Sequence, residues 1–399
     1  MSLIDQGHRV ADVVGIDFGT SYSSVSVAVD DHVCVLPDDH GYRLHPSVVF
    51  YPDGGPPTAG WRARPGLATA ARRTIGSPKR LLGRRFSDPA LAGTLQAAAY
   101  ETREGPNDSI LVDIHGSQYA IPQVCGEVIG HIREIGERRI GRPIRQAVLS
   151  LPITYQGAER AALCRAAELA GIEVVATIEE PVAAAMSYGF GQDKEEIVAV
   201  YDFGGGTFDF TVIDISGYSF EILARGGDSW LGGDDFDLLL AGSVADALWR
   251  AMQVELRHRA VEWKRLLFAC EAAKRELSKE TVATIVVDNL IEQPRQMNLR
   301  QRLDRQTFEH LCGELFDRSI KICASALGRA ALDPEDIAQV VISGGVSHIP
   351  FVRAGINRFF GRYIAPTVNP DEAICAGAGL RAAQLARHPV LGVGTLDLG

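Results

Sequence analysis

The sequence predicts an α/β protein built from two related halves. Two stretches are nearly the same, VVGIDFGTSYSSVSV at Val13–Val27 and VAVYDFGGGTFDFTV at Val198–Val212. Strand-like and helix-like segments alternate in both halves of the chain, which is typical of the α/β class. A repeat of this kind in separate halves indicates a duplicated domain.

Each repeated stretch reads as a β-hairpin with a carboxylate at the mouth of its turn. An apolar, β-branched run is followed by Asp-Phe-Gly, a turn of small residues and a second alternating run. Glycines let the backbone approach a phosphate closely, and successive N–H groups in such a turn bind anions. Asp17 and Asp202 cannot bind phosphate themselves, so we expect them to hold the water shell of a Mg²⁺ ion. Two such turns indicate domains that close on one nucleotide.

Composition and charge exclude several classes of protein. The chain has 399 residues, of which 46% are hydrophobic and 23% charged, as in ordinary globular proteins. Its formal net charge of −10 argues against binding of nucleic acid or an anionic membrane by bulk charge. No apolar run approaches the roughly 18 residues that cross a bilayer. The seven scattered cysteines indicate a reducing compartment, and no secretory signal is visible, so we expect a cytoplasmic protein.

The predicted elements divide the chain into two lobes, each with an insertion. Lobe I is predicted at 11–196, with an insertion at about 47–119 that begins with turn-rich and arginine-rich sequence. Lobe II is predicted at 197–387, with an insertion at about 237–314 where helical sequence precedes an alternating strand. The glycine-rich segment 388–399 is predicted to be a linker-like tail, and we expect no substrate-binding domain in this chain.

A series of short motifs points to one family. In chain order they are GIDFGTSYS, KRLLGRRF, LP with an arginine eight residues on, EEPVAAAMSYG, YDFGGGTFD, LGGDDFD, AAKRELS, SGGVSHIP and NPDEAICAGA. Their order and approximate spacing resemble the ATPase domain of the seventy-kilodalton heat-shock chaperones, over about residues 12–387. The resemblance implies the two-lobed fold of actin and sugar kinases, with duplicated ribonuclease H-like domains. It also implies ATP or ADP and Mg²⁺ as ligands, with K⁺ as a further candidate ion.

The resemblance assigns roles to both hairpin turns. Asp17 and Asp202 would orient Mg²⁺, largely through water, while Thr207 and Asp209 would help to position the attacking water, and Asp209 alternatively a K⁺ ion. Aspartates in turns are otherwise common as local hydrogen-bond acceptors. The backbone amides and hydroxyls of two phosphate loops would hold the β- and γ-phosphates. The first loop comprises Gly19, Thr20, Ser21 and Tyr22, and the second comprises Gly204, Gly205, Gly206 and Thr207.

Two charged residues outside the turns complete the implied catalytic set. Lys79 lies in SPKRLLGRR, a run that by itself indicates a solvated basic face. The resemblance places this lysine at the γ-phosphate, where a mobile point charge stabilises developing charge. Arg80, Arg84 and Arg85 are assigned to the solvated face. Glu180 precedes a proline at a helix start, where acids are ordinary dipole partners, and the resemblance implies that it helps to bind the metal–water assembly and positions the water.

A charged helix is implied to bind the adenosine. Spacings of three and four place Glu271, Lys274, Arg275 and Ser278 largely on one helix face. Alone, this pattern is that of a charged surface helix. By resemblance, Glu271 and Lys274 would bind the ribose hydroxyls, Arg275 would stack on adenine, and Ser278 would bond to the base.

The opposite side of the implied adenosine pocket departs from the family pattern. Gly344 and Gly345 would allow close approach to the nucleotide. His348 stands where the family commonly has an arginine, and a smaller imidazole, mostly neutral at pH 7, would bind adenine more loosely. Asp371 resembles a residue that bonds near the adenine pocket or caps the following helix.

The surface that receives a J-domain co-chaperone in the family is also altered. Where a tyrosine and an Asn-Asp pair are usual, this chain has Thr154, Gln156 and Gly157, and Ala176 replaces a basic residue. A nucleotide-exchange factor or J-domain co-chaperone is therefore expected only with a changed docking surface. Adenine nucleotide is the main expected ligand, with neither nucleic acid nor membrane as a partner.

Three functions remain open from the sequence. The leading interpretation is slow, Mg-dependent ATP hydrolysis that opens and closes the lobes, as in the motor domain of a chaperone-like protein. A second is a non-catalytic, nucleotide-dependent regulator or an actin-like filament protein. A third is a sugar or metabolite kinase, although that chemistry needs a base on the acceptor hydroxyl.

Overall fold

The computed structural model describes residues 2–189, 195–217, 219–291, 296–365 and 368–394. The strands are β1 Val13–Phe18, β2 Tyr22–Val29, β3 His32–Val35, β4 His45–Pro46, β5 Val48–Phe50, β6 Thr58–Ala59, β7 Thr74–Gly76, β8 Glu101–Glu104, β9 Ile110–Ile114, β10 Ser117–Ala120, β11 Gln146–Leu151, β12 Glu173–Glu179, β13 Glu195–Phe203, β14 Phe208–Ser216, β15 Ser219–Asp228, β16 Val282–Ile291, β17 Met297–Asp304, β18 Gln339–Ser343 and β19 Gly392–Val393.

The α-helices lie between and after these strands. They are α1 Gly66–Thr69, α2 Ala92–Gln96, α3 Ile121–Ile140, α4 Gly157–Leu169, α5 Glu180–Gly189, α6 Gly233–Met252, α7 Ala260–Leu277, α8 Arg305–Arg329, α9 Pro350–Phe359 and α10 Ala373–Leu385. This mixture of helices and several sheets confirms the predicted α/β class. In the part of the chain that the structure describes, no helix is long and apolar enough to span a bilayer.

The two predicted hairpins belong to two sheets that share the order of four strands. In the first sheet the order is β12–β11–β1–β2–β3–β19, with β4 also paired to β2. Strands β1, β2 and β3 form an antiparallel meander, and β11 lies parallel beside β1. The second sheet has the order β15–β14–β13–β18, again a meander with a parallel strand beside its first member. The duplication read from the sequence is therefore a duplication of strand order.

Smaller sheets lie in the ranges where insertions were expected. Strands β6–β5–β7 and β10–β9–β8 each form a three-stranded sheet between the first hairpin and α3, and β16 pairs with β17 between α7 and α8. The exact boundaries of the two lobes and their insertions stay predictions. Helix α10 falls in the range predicted for lobe II, but it packs on β1 and β2 of the first sheet. Of the predicted tail 388–399, the residues beyond 394 lie outside the described part.

The Asp-Phe-Gly motif positions each carboxylate because successive strand side chains point to opposite faces. Phe18 and Phe203 are completely buried in separate hydrophobic cores. In the second core, Tyr201 and Phe203 pack edge-on against Phe208, with ring centroids 4.9 and 5.0 Å apart. The phenylalanine thus anchors each turn in a core, and the neighbouring aspartate is directed to the other side of the strand.

Helix α10 approaches β1 and α5 so closely that side chains are excluded. A Cβ atom on Gly15 would overlap the backbone of Gly379, and one on Gly377 would overlap the carbonyl oxygen of Ala183. These contacts fix α10 and α5 against the strand that ends at the first turn. Glycine at these positions is therefore a packing requirement.

We predict opposite effects for two helical glycine-to-alanine changes. Gly377→Ala should lower the free energy of unfolding by about 1–3 kcal/mol, because the new methyl group meets rigid backbone. The matched control is Gly313→Ala in α8, where a Cβ atom has open space. This substitution should raise the free energy of unfolding by about 0.5–1 kcal/mol. Urea unfolding followed by circular dichroism measures both changes. Equal midpoints for the two variants would contradict the packing assigned to α10.

Candidate functional site

The turns of the two hairpins meet. A Cβ atom on Gly205, in the second turn, would overlap the Ser21 side chain in the first turn. A Cβ atom on Gly206 would lie 2.9 Å from Thr20 Cγ2. The glycines of the second turn therefore permit a direct contact between loops that are almost two hundred residues apart along the chain. The structure brings the two predicted phosphate loops together.

Hydrogen bonds from outside each turn fix its backbone. In the first turn, Ser47 donates its backbone N–H to Ser21 O at 2.9 Å and its hydroxyl to Gly19 O at 2.8 Å. The second turn also has an internal hydrogen bond, in which the Gly204 N–H donates to Thr207 O at 3.0 Å. The start of α6 caps this second turn, because the N–H groups of residues 233 and 234 donate to the carbonyls of residues 204 and 205 at 3.0 and 2.8 Å. Both turns are thus held in place by neighbouring backbone.

Carboxylates lie at the mouths of both turns, and those of Asp202 and Asp209 are buried. Asp17 accepts a hydrogen bond of 2.6 Å from Ser150 Oγ, which the parallel pairing of β1 with β11 places beside it. Burial and the charge of Glu180 raise the pKa of Asp17 to about 6, against the opposing effects of Lys79 and Ser150. On the second hairpin, Asp202 lies directly opposite Asp209.

The pKa values of the two aspartates on the second hairpin are also raised. Burial and the charges of Glu180, Asp209 and Asp17 raise the pKa of Asp202 well above its ordinary value, although Ser343 donates to it. Burial and Glu180 raise the pKa of Asp209 to about 7, with Lys79 opposing. Each raised pKa reflects first the burial of the carboxylate and then the negative charge of Glu180 beside it.

Lys79 and Glu180 form a buried ion pair between these carboxylates. Lys79 Nζ lies 2.7 Å from Glu180 Oε1, and the two side chains are 5% and 9% exposed. Burial disfavours the charged lysine most strongly, but Glu180, Tyr155 and Asp17 together raise its pKa above the ordinary value. Lys79 therefore stays protonated in the cleft.

The carboxylates fit a hydrated cation better than a directly ligated one. In the described part of the chain, no three His, Cys, Asp or Glu side chains are arranged so that they could hold a metal ion themselves. The buried and uncompensated negative charge of Asp17, Asp202 and Asp209 nevertheless favours a cation. A Mg²⁺ ion commonly keeps several of its waters, so these residues fit one that is held mainly through water.

Helix α7 brings only part of the implied adenosine set into the cleft. Arg275 contacts the Tyr22 hydroxyl, and its guanidinium lies 5.4 Å from the centroid of that ring. Glu271 accepts a 3.0 Å bond from Arg64, which belongs to the insertion predicted for lobe I. Both contacts join the first phosphate loop or its insertion to α7. Ser278 donates its hydroxyl to Lys274 O at 3.3 Å and lies at the end of the helix.

Lys274 is engaged within its own lobe. Its Nζ donates to Gly233 O at 2.6 Å and to Asp237 Oδ2 at 2.7 Å, which ties α7 to the start of α6. The side chains of Lys274 and Asp237 are 11% and 8% exposed. A role for Lys274 on a ribose hydroxyl would require at least one of these bonds to be shared.

The two glycines on the opposite side have different surroundings. Gly344 has a φ of +85°, and a Cβ atom there would overlap the carbonyl of Phe203 and lie 2.8 Å from the Gly204 nitrogen. Gly345, at the start of the 3₁₀ turn that ends at His348, has open space around its α-carbon. The first glycine is required by close backbone packing, whereas the second leaves room for a ligand.

His348 and Asp371 form a pair. His348 Nε2 lies 2.9 Å from Asp371 Oδ2. The hydrogen bond to Asp371 raises the pKa of His348 above 6.5, although burial opposes this. More of this imidazole is therefore protonated at neutral pH than the free side chain would be. Asp371, whose role the sequence left between adenine binding and helix capping, is a partner of His348.

Some residues of the site carry no sequence signal. Only tertiary contacts identify Ser150 and Tyr155 as part of the site. Tyr155 donates to Lys79 O at 3.3 Å, and Ser150 donates to Asp17. Arg64 was also missed. The assignment of Arg80 to a solvated face is wrong, because its side chain is only 16% exposed and pairs with Asp234 at 3.2 Å. The turn at Pro78–Leu81 directs this arginine toward the second phosphate loop.

We predict that His348 titrates above pH 6.5 and that Asp371 is the cause. A raised folded-state pKa means that the pair stabilises the protein fully below about pH 6.5 and loses this contribution as the pH rises through the folded-state pKa. NMR titration of the His348 ring protons should give a lower pKa in Asp371→Asn than in the wild type. The same pKa in both proteins would refute the pairing.

Comparison with known proteins finds many relatives by sequence. The mitochondrial heat shock 70 kDa protein of Trypanosoma cruzi is 35% identical over 389 residues, which cover 97% of this chain and 59% of the relative. The chain thus spans less than two thirds of the length of the curated relative it matches. Because that relative is mitochondrial, our prediction of a cytoplasmic location is wrong.

The resemblance stated from short motifs extends over almost the whole chain. The family model described as Hsp70 protein matches residues 13–398. This range includes both hairpins, both meeting turns and the helices that pack against them. The two related sheets are those of the actin-like ATPase fold. On this match and the shared identity, the chain belongs to the Hsp70 family.

Proposed function

We propose that this chain is an ATP-driven chaperone motor domain, which binds adenine nucleotide between its lobes and hydrolyses ATP slowly with Mg²⁺. The observation that carries this proposal is the contact of the second turn with the first at Gly205 and Ser21. Two glycine-rich turns that meet beside buried carboxylates offer backbone donors to a phosphate chain from both sides. Family membership supports the same function. The experiments below test it on this chain.

The phosphates would lie between the two turns. Residues 19–22 and 204–207 would supply backbone N–H groups and the hydroxyls of Thr20, Ser21 and Thr207. Because hydrogen bonds from neighbouring segments already fix both turns, little ordering would be needed on binding. The adenosine would contact Arg275 and Glu271 on one side and the Gly344–Gly345 turn on the other, while Ser278 and His348 would border the base.

Hydrolysis would depend on positioning and electrostatics. Asp17 and Asp202 would hold Mg²⁺ through water, and the ion when bound would neutralise part of the phosphate charge. Lys79 would stabilise the charge that develops on the γ-phosphate. Thr207, Asp209 and Glu180 would orient the attacking water, and Asp209 would be the first candidate to bind K⁺. Such arrangements carry most of the rate in phosphoryl transfer, because the protein does little covalent work.

The Lys79–Glu180 pair explains how one lysine can serve this role. Glu180 lies 2.7 Å from Lys79 Nζ and raises its pKa. The lysine therefore remains a cation although it is buried, and it is oriented before a phosphate arrives. Glu180 also raises the pKa of Asp17 and Asp209, which supports the proposal that it orients the attacking water with Thr207 and Asp209.

We also propose that partners of the family act on this chain through a changed surface. A nucleotide-exchange factor or a J-domain co-chaperone would meet Gln156 and Gly157 at the start of α4. It would also meet Ala176 on β12, an edge strand of the first sheet. The filament, regulator and kinase alternatives gain no support from family membership.

We predict that Lys79→Ala lowers the rate of single-turnover ATP hydrolysis by on the order of 10²–10³-fold, the usual cost of one lost preorganised contact. ATP affinity should change much less, since the two turns still supply their donors. Quenched-flow phosphate release and titration calorimetry measure the two quantities. Arg85→Ala is the matched control, because Arg85 is exposed in the same basic run.

The outcomes of this experiment separate the parts of the proposal. Near-normal turnover in Lys79→Ala would remove Lys79 from the mechanism. A wild-type protein that folds but binds no adenine nucleotide would contradict the proposed function as a whole. Because removing Lys79 leaves Glu180 buried without its partner, the thermal unfolding of the variant should be measured alongside its activity.

A further inference from the structure

Arg80 reaches from the insertion of one lobe to the phosphate loop of the other. It directly follows Lys79 in the 3₁₀ turn Pro78–Leu81. Its Nη2 lies 3.4 Å from Gly205 O and 3.2 Å from Asp234 Oδ2. The guanidinium carbon lies 5.9 Å from the centroid of the Trp230 ring. The side chain is thus held at the junction of the two turns.

The donors of Arg80 are not all used. A guanidinium carries five N–H donors in a fixed planar fork. The Nε of Arg80 is buried, and it has no hydrogen-bond partner among the described residues. It faces the second turn, because a Cβ atom on Gly206 would lie 2.8 Å from it. A buried donor without an acceptor is unfavourable, so the site lacks an acceptor at this point.

The charge of the cleft favours more than one cation beside the phosphates. The carboxylates of Asp17, Glu180, Asp202 and Asp209 act on one another in the cleft, and Lys79 is the ammonium that pairs with Glu180. A nucleotide would add several more negative charges. The planar fork of arginine matches the oxygens of a phosphate group better than a lysine does.

We propose that Arg80 is a phosphate-binding residue that donates to the phosphate chain of the bound nucleotide beside Lys79. This inference rests on the proposed function and extends it to a residue whose sequence context indicates a solvated face. Asp234 and Gly205 hold the guanidinium over the second turn, so it is already oriented when the nucleotide enters. Nε has almost no accessible surface before the nucleotide binds, so a small shift of the guanidinium would let a phosphate oxygen provide the acceptor that Nε lacks.

Titration calorimetry of Arg80 variants with ADP and with adenosine tests the assignment. Arg80→Gln should weaken ADP binding by roughly ten- to hundredfold, as expected for the loss of a charge-assisted hydrogen bond. Adenosine affinity should stay at the wild-type value, because adenosine has no phosphate. Arg85→Gln removes the same charge from an exposed position of the same run and should leave both affinities unchanged.

Each alternative result is decisive. Unchanged ADP affinity in Arg80→Gln, or an equal loss for ADP and adenosine, would overturn the assignment in favour of a purely structural bridge between the lobes. If Arg80→Gln does not fold, Arg80→Lys carries the test. Arg80→Lys keeps the charge but loses Nε and the planar fork, so it should weaken ADP binding by a smaller factor than Arg80→Gln. Wild-type ADP affinity in this variant would overturn the proposal. Wild-type protein that binds neither ligand would instead contradict the proposed function.

Discussion

The close contact of two glycine-rich turns constrains the rest of the structure. Gly205 can lie against Ser21 only because it has no side chain, and the two hairpins can meet only if both sheets hold their turns at the same place. Three features hold the turns in this position. They are the buried phenylalanines of the repeated motif, the hydrogen bonds from Ser47 and from the start of α6, and the packing of α10 on β1. The position of the cleft therefore depends on the packing of both hydrophobic cores and not on a single loop.

Uncompensated negative charge is the second property of the cleft. Three aspartates have raised pKa values because burial and the negative charge of Glu180 oppose their ionisation, and Lys79 offsets only part of this for Asp17 and Asp209. Folding tolerates such an arrangement because the cores supply stability elsewhere. Strained charge of this kind is common at functional sites. It favours a cation held through water. It also favours cationic side chains around the proposed phosphate site.

The sequence predicts what repeats or alternates, and it misses what depends on distant contacts. The Asp-Phe-Gly motif predicts both hairpins and both carboxylates, because strand periodicity alone separates core from cleft. Ser150, Tyr155 and the inward direction of Arg80 come from pairing between segments far apart, which no local pattern encodes. A basic run looks solvated until the turn at Pro78–Leu81 directs one arginine inward. Likewise, the return of α10 to the first sheet depends on glycine contacts that only the assembled fold reveals.

Hydrogen exchange of the backbone amides in the two turns measures whether both turns bind the phosphate chain. If residues 19–22 and 204–207 hold one phosphate chain between them, addition of ADP and Mg²⁺ should slow exchange in both turns together, and adenosine should not. We expect this joint protection at saturating nucleotide. Protection of one turn only, or of neither, would contradict a site shared between the two hairpins.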